Sequence, residues 1–197
     1  MTDAQLIENF LAGEISSFNT LVWRWEKRIF NFIYRYLGDF ELSKDVSQKV
    51  FIRVYKNLRH LKSPEKFQSW IYQVAANLCK DEIKSIKRRS SISIENIQEN
   101  NVEGNFNIVE PERCQPDNNL NNVELQELIK QALQAIPEEQ RVVIIMKEYQ
   151  GLKFVEIAEA LGEPLNTVKS RMYYGLNALR KVFDRWNISK EVLQYEM

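Results

Sequence analysis

Thr167, Lys169, Ser170, Arg171, Tyr173 and Tyr174 crowd into one short stretch near the C-terminal end of the chain. Hydroxyls, an ammonium and a guanidinium at this spacing form no nucleophile–base pair. They can hydrogen-bond to polar edges, as a lysine or arginine does to the O6 and N7 of guanine in a DNA groove. A second set runs through Lys66, Phe67, Gln73, Asn77, Lys80, Lys84, Lys87 and Arg88. Cations repeating every three or four residues make a band that can follow a phosphate backbone, with Phe67, Trp70 and Tyr72 at its start. Cations beside aromatic rings suit single-stranded nucleic acid, whose bases stack while the backbone is neutralised. Trp70 also lies on an apolar stripe, where a core role outweighs a stacking role about two to one. Covalent chemistry has little to build on. There is one histidine, His60, no glycine-rich phosphate loop, and carboxylates are spread over solvated faces. No enzyme active site, cofactor or metal is expected.

The elements that must position these groups are helices. Apolar residues recur at helical spacing almost throughout, with only 6 Gly and 5 Pro in 197 residues, which predicts an all-α protein. "FVEIAEALGEPLNTVKSRM" (154–172) reads as a short helix, a turn and a second helix. Ala158 permits close approach, Gly162 supplies the positive backbone angle of the turn, and Pro164 starts the second helix. Ile157, Leu161, Val168 and Met172 form the shared core. The polar set from Thr167 to Tyr174 then points outward near the helix N-terminus, the part that enters a major groove. Such αα units are also common in proteins that bind no DNA, so the motif carries roughly a two-in-three weight. Upstream, helices are expected over Asp3–Leu11, from Ser16 to Gly38, over about Leu42–Leu58, and from Ser63 onward along the stripe Phe67, Trp70, Ile71, Val74, Ala75 and Leu78. The third carries an outward row of Asp45, Gln48, Lys49, Ile52, Arg53 and Lys56, which physics alone reads as any amphipathic helix.

The formal net charge of zero conceals a segregation. Residues 1–89 hold 16 Lys/Arg against 10 Asp/Glu, residues 90–122 one against six, and residues 123–197 ten against eleven. Blocks of opposite sign usually meet different partners. The middle block, rich in Asn and holding Pro111 and Pro116, predicts a flexible acidic linker between two helical units. A C-terminal tail is expected over 186–197. Cys79 and Cys114 fit neither a disulfide framework nor a zinc knuckle. The N-terminus resembles no signal peptide, and the longest apolar run, "VVIIM", is too short to span a bilayer. A cytoplasmic protein with no membrane insertion is expected.

Together these strings resemble a known family. "DVSQKVF" (45–51), "FQSWIYQVAANLCKDEIKSIKRR" (67–89), an acidic linker, and "IPEEQRVVIIMKEYQGLKFVEIAEALGEPLNTVKSRM" (136–172) follow the order and spacing of a bacterial sigma-70-family factor. The likeness is to the extracytoplasmic-function (ECF) class, which keeps only sigma regions 2 and 4, and it covers nearly the whole chain. It implies region 2 over 1–89, the linker over 90–122, and region 4 over 123–185 with its helix-turn-helix at about 152–174. It implies that helix 45–58, through Asp45, Gln48, Lys49, Ile52, Arg53 and Lys56, docks on core RNA polymerase. Residues 60–89, through Lys66, Phe67, Gln73, Asn77, Lys80, Lys84, Lys87 and Arg88, would recognise and melt the −10 promoter element. Thr167, Lys169, Ser170, Arg171, Tyr173 and Tyr174 would read the −35 element, and an anti-sigma factor is an expected partner. The chain departs from the family pattern at Lys49, usually an acid; at Glu163, usually apolar; and at Tyr174 and Leu176, often arginine.

Charge and reach bear on this. A second unit of about −1 has almost no general attraction to phosphates, so something else must hold it on DNA. Elements about 17 base pairs apart are separated by roughly 58 Å at ~3.4 Å per pair. A linker of ~32 residues spans at most ~105 Å extended. The alternative is a stand-alone helix-turn-helix regulator, which would need a two-fold interface and a basic reading domain, neither of which is evident.

Overall fold

A computed structural model describes residues 1–95 and 122–188, with side chains for 1–89 and 125–188. The described residues form eight α-helices and no strand. They are α1 (Asp3–Leu11), α2 (Ile15–Leu37), α3 (Phe40–Asn57), α4 (Phe67–Glu95), α5 (Asn122–Gln134), α6 (Glu138–Ile144), α7 (Phe154–Leu161) and α8 (Leu165–Arg185). Short 3-10 turns over Leu58–His60 and Pro64–Lys66 join α3 to α4, and α6 widens into a π-helical turn over Ile145–Tyr149.

Local chemistry sets the ends. Thr2 caps α1 and Gln5 returns the bond to the Thr2 N–H at 2.9 Å, satisfying two donors that a helix start leaves open. Asp39 caps α3 by accepting the Leu42 N–H at 2.7 Å. Gly38 ends α2 at φ +81, a left-handed conformation that suits glycine. A side chain there would also strike Gln134, whose Cδ lies 2.9 Å from the position of a Cβ.

Apolar stripes on α2, α3 and α4 pack around Trp25, Phe32, Tyr36, Phe67, Ile71 and Tyr72. Trp25 is the hub. Its ring meets Phe67 and Tyr72 edge-on at 5.6 and 5.9 Å, while its Nε1–H donates to Asp3 on α1 at 3.0 Å. That bond meets the one polar demand of a buried indole. In the second half, Ile157, Val168 and Met172 bury as expected, with Leu161 partly buried beside them. α8 crosses α6 closely at Gly175, where a Cβ would lie 2.8 Å from Ile144 Cδ1 and 3.1 Å from Gln140 Cβ.

The expected elements are present with shifted ends. α4 continues to Glu95, past the point where the linker was expected to begin. Most of the expected linker (96–121) and most of the expected tail (189–197) lie outside the described residues.

The halves meet in an interface that sequence reading did not foresee. The open carbonyls at the end of α2 are the attachment point. Gln134 Nε2 donates to the Arg35 carbonyl at 2.8 Å, and Arg141 Nη1 donates to the Tyr36 carbonyl at 2.8 Å. Arg141 also donates to the side chain of Gln134 and to the carbonyls of Gln134 and Ile136. Burial lowers its basicity, opposed by Tyr36, Glu138 and Glu139. Tyr36 donates to Glu138 at 3.1 Å and Tyr72 donates to Gln150. Burial pushes the Tyr72 phenol up to about 12, against the pull of Arg28. Arg35 stacks 4.2 Å from the centre of the Tyr149 ring.

Candidate nucleic-acid interface

Three surfaces can be built from the helices upward. On α3, Val46, Val50 and Val54 face inward, which turns Asp45, Gln48, Lys49, Ile52, Arg53 and Lys56 outward, all six exposed. Lys49 reaches Glu82 of α4 at 3.4 Å, and Glu82 also holds Arg89 at 3.0 Å. The outward row of α3 and the cationic helix are thus tied together by one carboxylate.

On α4, Ile71, Ala75 and Cys79 face the core. Steps of four and three residues keep Gln73, Asn77, Lys80, Lys84 and Lys87 on one stripe about 21 Å long. Asn77, Lys84, Lys87 and Arg88 are exposed, and Gln73 and Lys80 are partly so. Phe67 requires a correction. It is 1% exposed and locked against Trp25, so it supports the surface from below and cannot offer a ring to a base. The apolar stripe that marked it as core overrode its place in the basic band. Trp70 is partly buried against the same core. Lys66 is exposed but engaged, with its Nζ 3.0 Å from Glu159 Oε1 on α7.

On α8, Val168, Met172 and Gly175 face inward. The opposite face presents Asn166, Lys169, Ser170, Tyr173, Tyr174 and Asn177, all exposed. Tyr173 and Tyr174 are 66% and 60% exposed and touch edge-on at 5.6 Å. Thr167 and Arg171 sit on the flank of that face, partly buried. Arg171 is ion-paired to Glu163 in the turn at 3.0 Å, a partnership that sequence reading missed although Glu163 stood out as a departure.

The structure therefore places two candidate nucleic-acid surfaces and one exposed polar row on a single helical frame. Residues 21–89 match Sigma-70 region 2, and residues 126–179 match Sigma-70, region 4. The chain belongs to the sigma-70 family, in its ECF class.

Relatives and solved structures agree with this placement. The chain is 28% identical over 182 residues to the RNA polymerase sigma-H factor of Pseudomonas aeruginosa, covering 91% of this chain and 92% of the relative. It is 29% identical over 180 residues to the ECF RNA polymerase sigma-E factor of Escherichia coli K12, covering 91% and 93%. Two solved structures share the fold. The sigma factor RpoE in complex with the anti-sigma factor NepR from Bartonella quintana aligns with TM-score 0.65 at 14% identity, over 91% of this chain and 98% of that one. CnrH in complex with the cytosolic domain of CnrY aligns with TM-score 0.66 at 17% identity, over 93% and 97%. Among the described residues no helix is long and apolar enough to cross a membrane.

Proposed function

We propose that this ECF sigma-70-family chain binds core RNA polymerase through the outward row of α3 and directs it to promoters from the cytoplasm. In this reading α4 engages and opens the −10 element and α8 reads the −35 element. The observation that carries it is the pairing, in family order, of an exposed polar docking helix with a cationic helix on the same core. The role is recognition and not catalysis. The α4 stripe supports a part in promoter melting, since Lys80, Lys84 and Lys87 can neutralise the backbone of an opened strand beside Asn77. With Phe67 in the core, Asn77 and Gln73 remain as the polar groups that can meet an unstacked base.

The closed arrangement bears on this role. Lys66 on the −10 side touches Glu159 of the helix-turn-helix, whereas the two promoter elements lie roughly 58 Å apart. The halves must therefore part before both elements are read, and α4 must lose Glu159 from its cationic margin. An anti-sigma protein fits as the regulator of that step, since one structural relative is a sigma factor in complex with an anti-sigma factor.

The test is run-off transcription with core polymerase on a promoter library. Charge reversal at Asp45 combined with Gln48→Ala should abolish co-elution with core enzyme while helicity is unchanged. Full co-elution of that double variant would overturn the docking assignment.

A further inference from the structure

Glu163 occupies the turn between α7 and α8, and its Oε1 lies 3.0 Å from Arg171 Nη1. The backbone that carries this carboxylate is held on both sides. α7 stops at Gly162 with φ 65 and ψ 32, and the Glu163 N–H donates to the Ala158 carbonyl at 3.1 Å. Pro164 follows at φ −59, and α8 begins at Leu165. Arg171 hangs from the second turn of α8, on the flank beside buried Val168 and Met172. The two side chains are 24% and 29% exposed, so the pair is half-sheltered and joins the two helices of the reading motif. Lys169, by contrast, is exposed with no ion-pair partner among the described residues.

Holding an arginine in this way has two consequences for DNA. A free arginine surrenders most of its rotamer freedom when it takes a base edge, and one already held does not. A guanidinium carries five N–H donors in a fixed fork, so a carboxylate on one side leaves donors on the other. The same carboxylate cancels most of the attraction of the cation for phosphates, which act on any sequence alike. Selectivity rises while indiscriminate affinity falls.

We propose that Glu163 is a positioning residue that fixes the Arg171 guanidinium for one base edge of the −35 duplex and suppresses its general attraction to phosphate. This rests on the reading that α8 faces that duplex.

The test uses the full chain with core polymerase, competed over a range of salt against −35 duplexes changed one base pair at a time. Glu163→Ala should flatten the preference at a single base pair by roughly tenfold. It should also tighten binding to scrambled duplex and steepen the salt slope by about one. Arg171→Ala should flatten the same pair, and the double variant should be no flatter than Arg171→Ala alone. Glu163→Gln, which removes charge with almost no change of shape, should show the steeper slope and retain part of the preference. A structural role alone would lower thermal stability without moving one base position. Unchanged preference in Glu163→Ala, or flattening at a pair that Arg171→Ala leaves alone, overturns the proposal. If wild-type holoenzyme shows no −35 preference at all, the reading of α8 itself fails, and that is seen before any variant is made.

Discussion

In the proposed reading α4 and α8 both turn polar faces to nucleic acid, but they hold their charge differently. α4 spreads Lys80, Lys84, Lys87 and Arg88 along one stripe, interrupted by Asp81 and by Glu82, which is turned toward Lys49 and Arg89. α8 shows Lys169 as the exposed cation of its first turns, keeps Arg171 tied to Glu163, and surrounds them with hydroxyls, amides and two tyrosine rings. Its other exposed cations, Arg180, Lys181 and Arg185, lie in its C-terminal half. Phosphate attraction is indifferent to sequence and additive over cations, whereas base reading needs a few fixed groups. In the proposed reading, the first region supplies affinity and the N-terminal turns of α8 supply choice. A chain that joins the two need not make either surface do both.

The sharpest way to break this comparison is at Phe67. A ring that served the nucleic-acid surface could be removed with the fold intact. A ring in the core cannot. Phe67→Ala should lower stability by about 3–5 kcal/mol, read as the midpoint of chemical denaturation, and Phe67→Leu should recover most of that loss. A Phe67→Ala protein of wild-type stability with defective promoter opening would return Phe67 to the surface.

Next in size is the charge contrast itself. Lys84→Glu with Lys87→Glu should weaken holoenzyme binding almost uniformly across −10 variants and make the salt slope shallower by about two or more. Lys169→Ala should change the slope by about one and act mainly on −35 preference. Equal slopes for the two would erase the distinction drawn here.

Gly175 sharpens the comparison on the side of the reading helix. Alanine would gain helix propensity of about 0.5–1 kcal/mol. Its Cβ, however, would meet Ile144 Cδ1 at 2.8 Å and Gln140 Cβ at 3.1 Å, and overpacking of this kind costs about 1–3 kcal/mol. Ile144 is buried and Gln140 Cβ is fixed to its backbone, so the clash should win. Gly175→Ala should melt lower than wild type; a higher melting temperature would show that α6 and α8 can part without loss.

The periodicity of α2, α3 and α4 was enough to read the first half, because long amphipathic stripes with wide apolar faces have one way to pack. Gly38, Gly162 and Pro164 marked their turns for the same local reasons that hold in the structure. The cationic stripe on α4 was equally legible, since four-and-three spacing depends on nothing outside the helix. What stayed hidden joins residues far apart in the chain. Gln134 and Arg141 satisfy the carbonyls of Arg35 and Tyr36, and no local pattern announces a donor for the end of a helix a hundred residues away. Phe67 was misplaced because it belongs to two patterns at once and only packing decides between them. Gly175 gave a signal that went unread, since a glycine inside a strong helical stretch often marks a close crossing.

The smallest effect expected concerns the contact that joins the two surfaces. Lys66 and Glu159 pair at 3.0 Å with side chains 61% and 49% exposed, and a pair so exposed is worth at most about 1 kcal/mol. The buried clasp is of another kind, because parting it strips partners from Arg141 and the end of α2. If the clasp holds the halves together, Glu159→Gln should raise the open fraction by no more than about fivefold at low salt and hardly at all at high salt. Opening can be followed by energy transfer between dyes on cysteines placed at the exposed positions of Trp23 and Tyr173, with Cys114 replaced by serine. Cys79 should not interfere, since it is buried and burial pushes its thiol well above the usual range. Gln134→Ala, which removes the donor to the Arg35 carbonyl, should open the chain further than Glu159→Gln at every salt concentration. The reverse order would mean that charge between the turn before α4 and helix α7 closes the molecule, and that the proposed affinity surface is held shut by the second half.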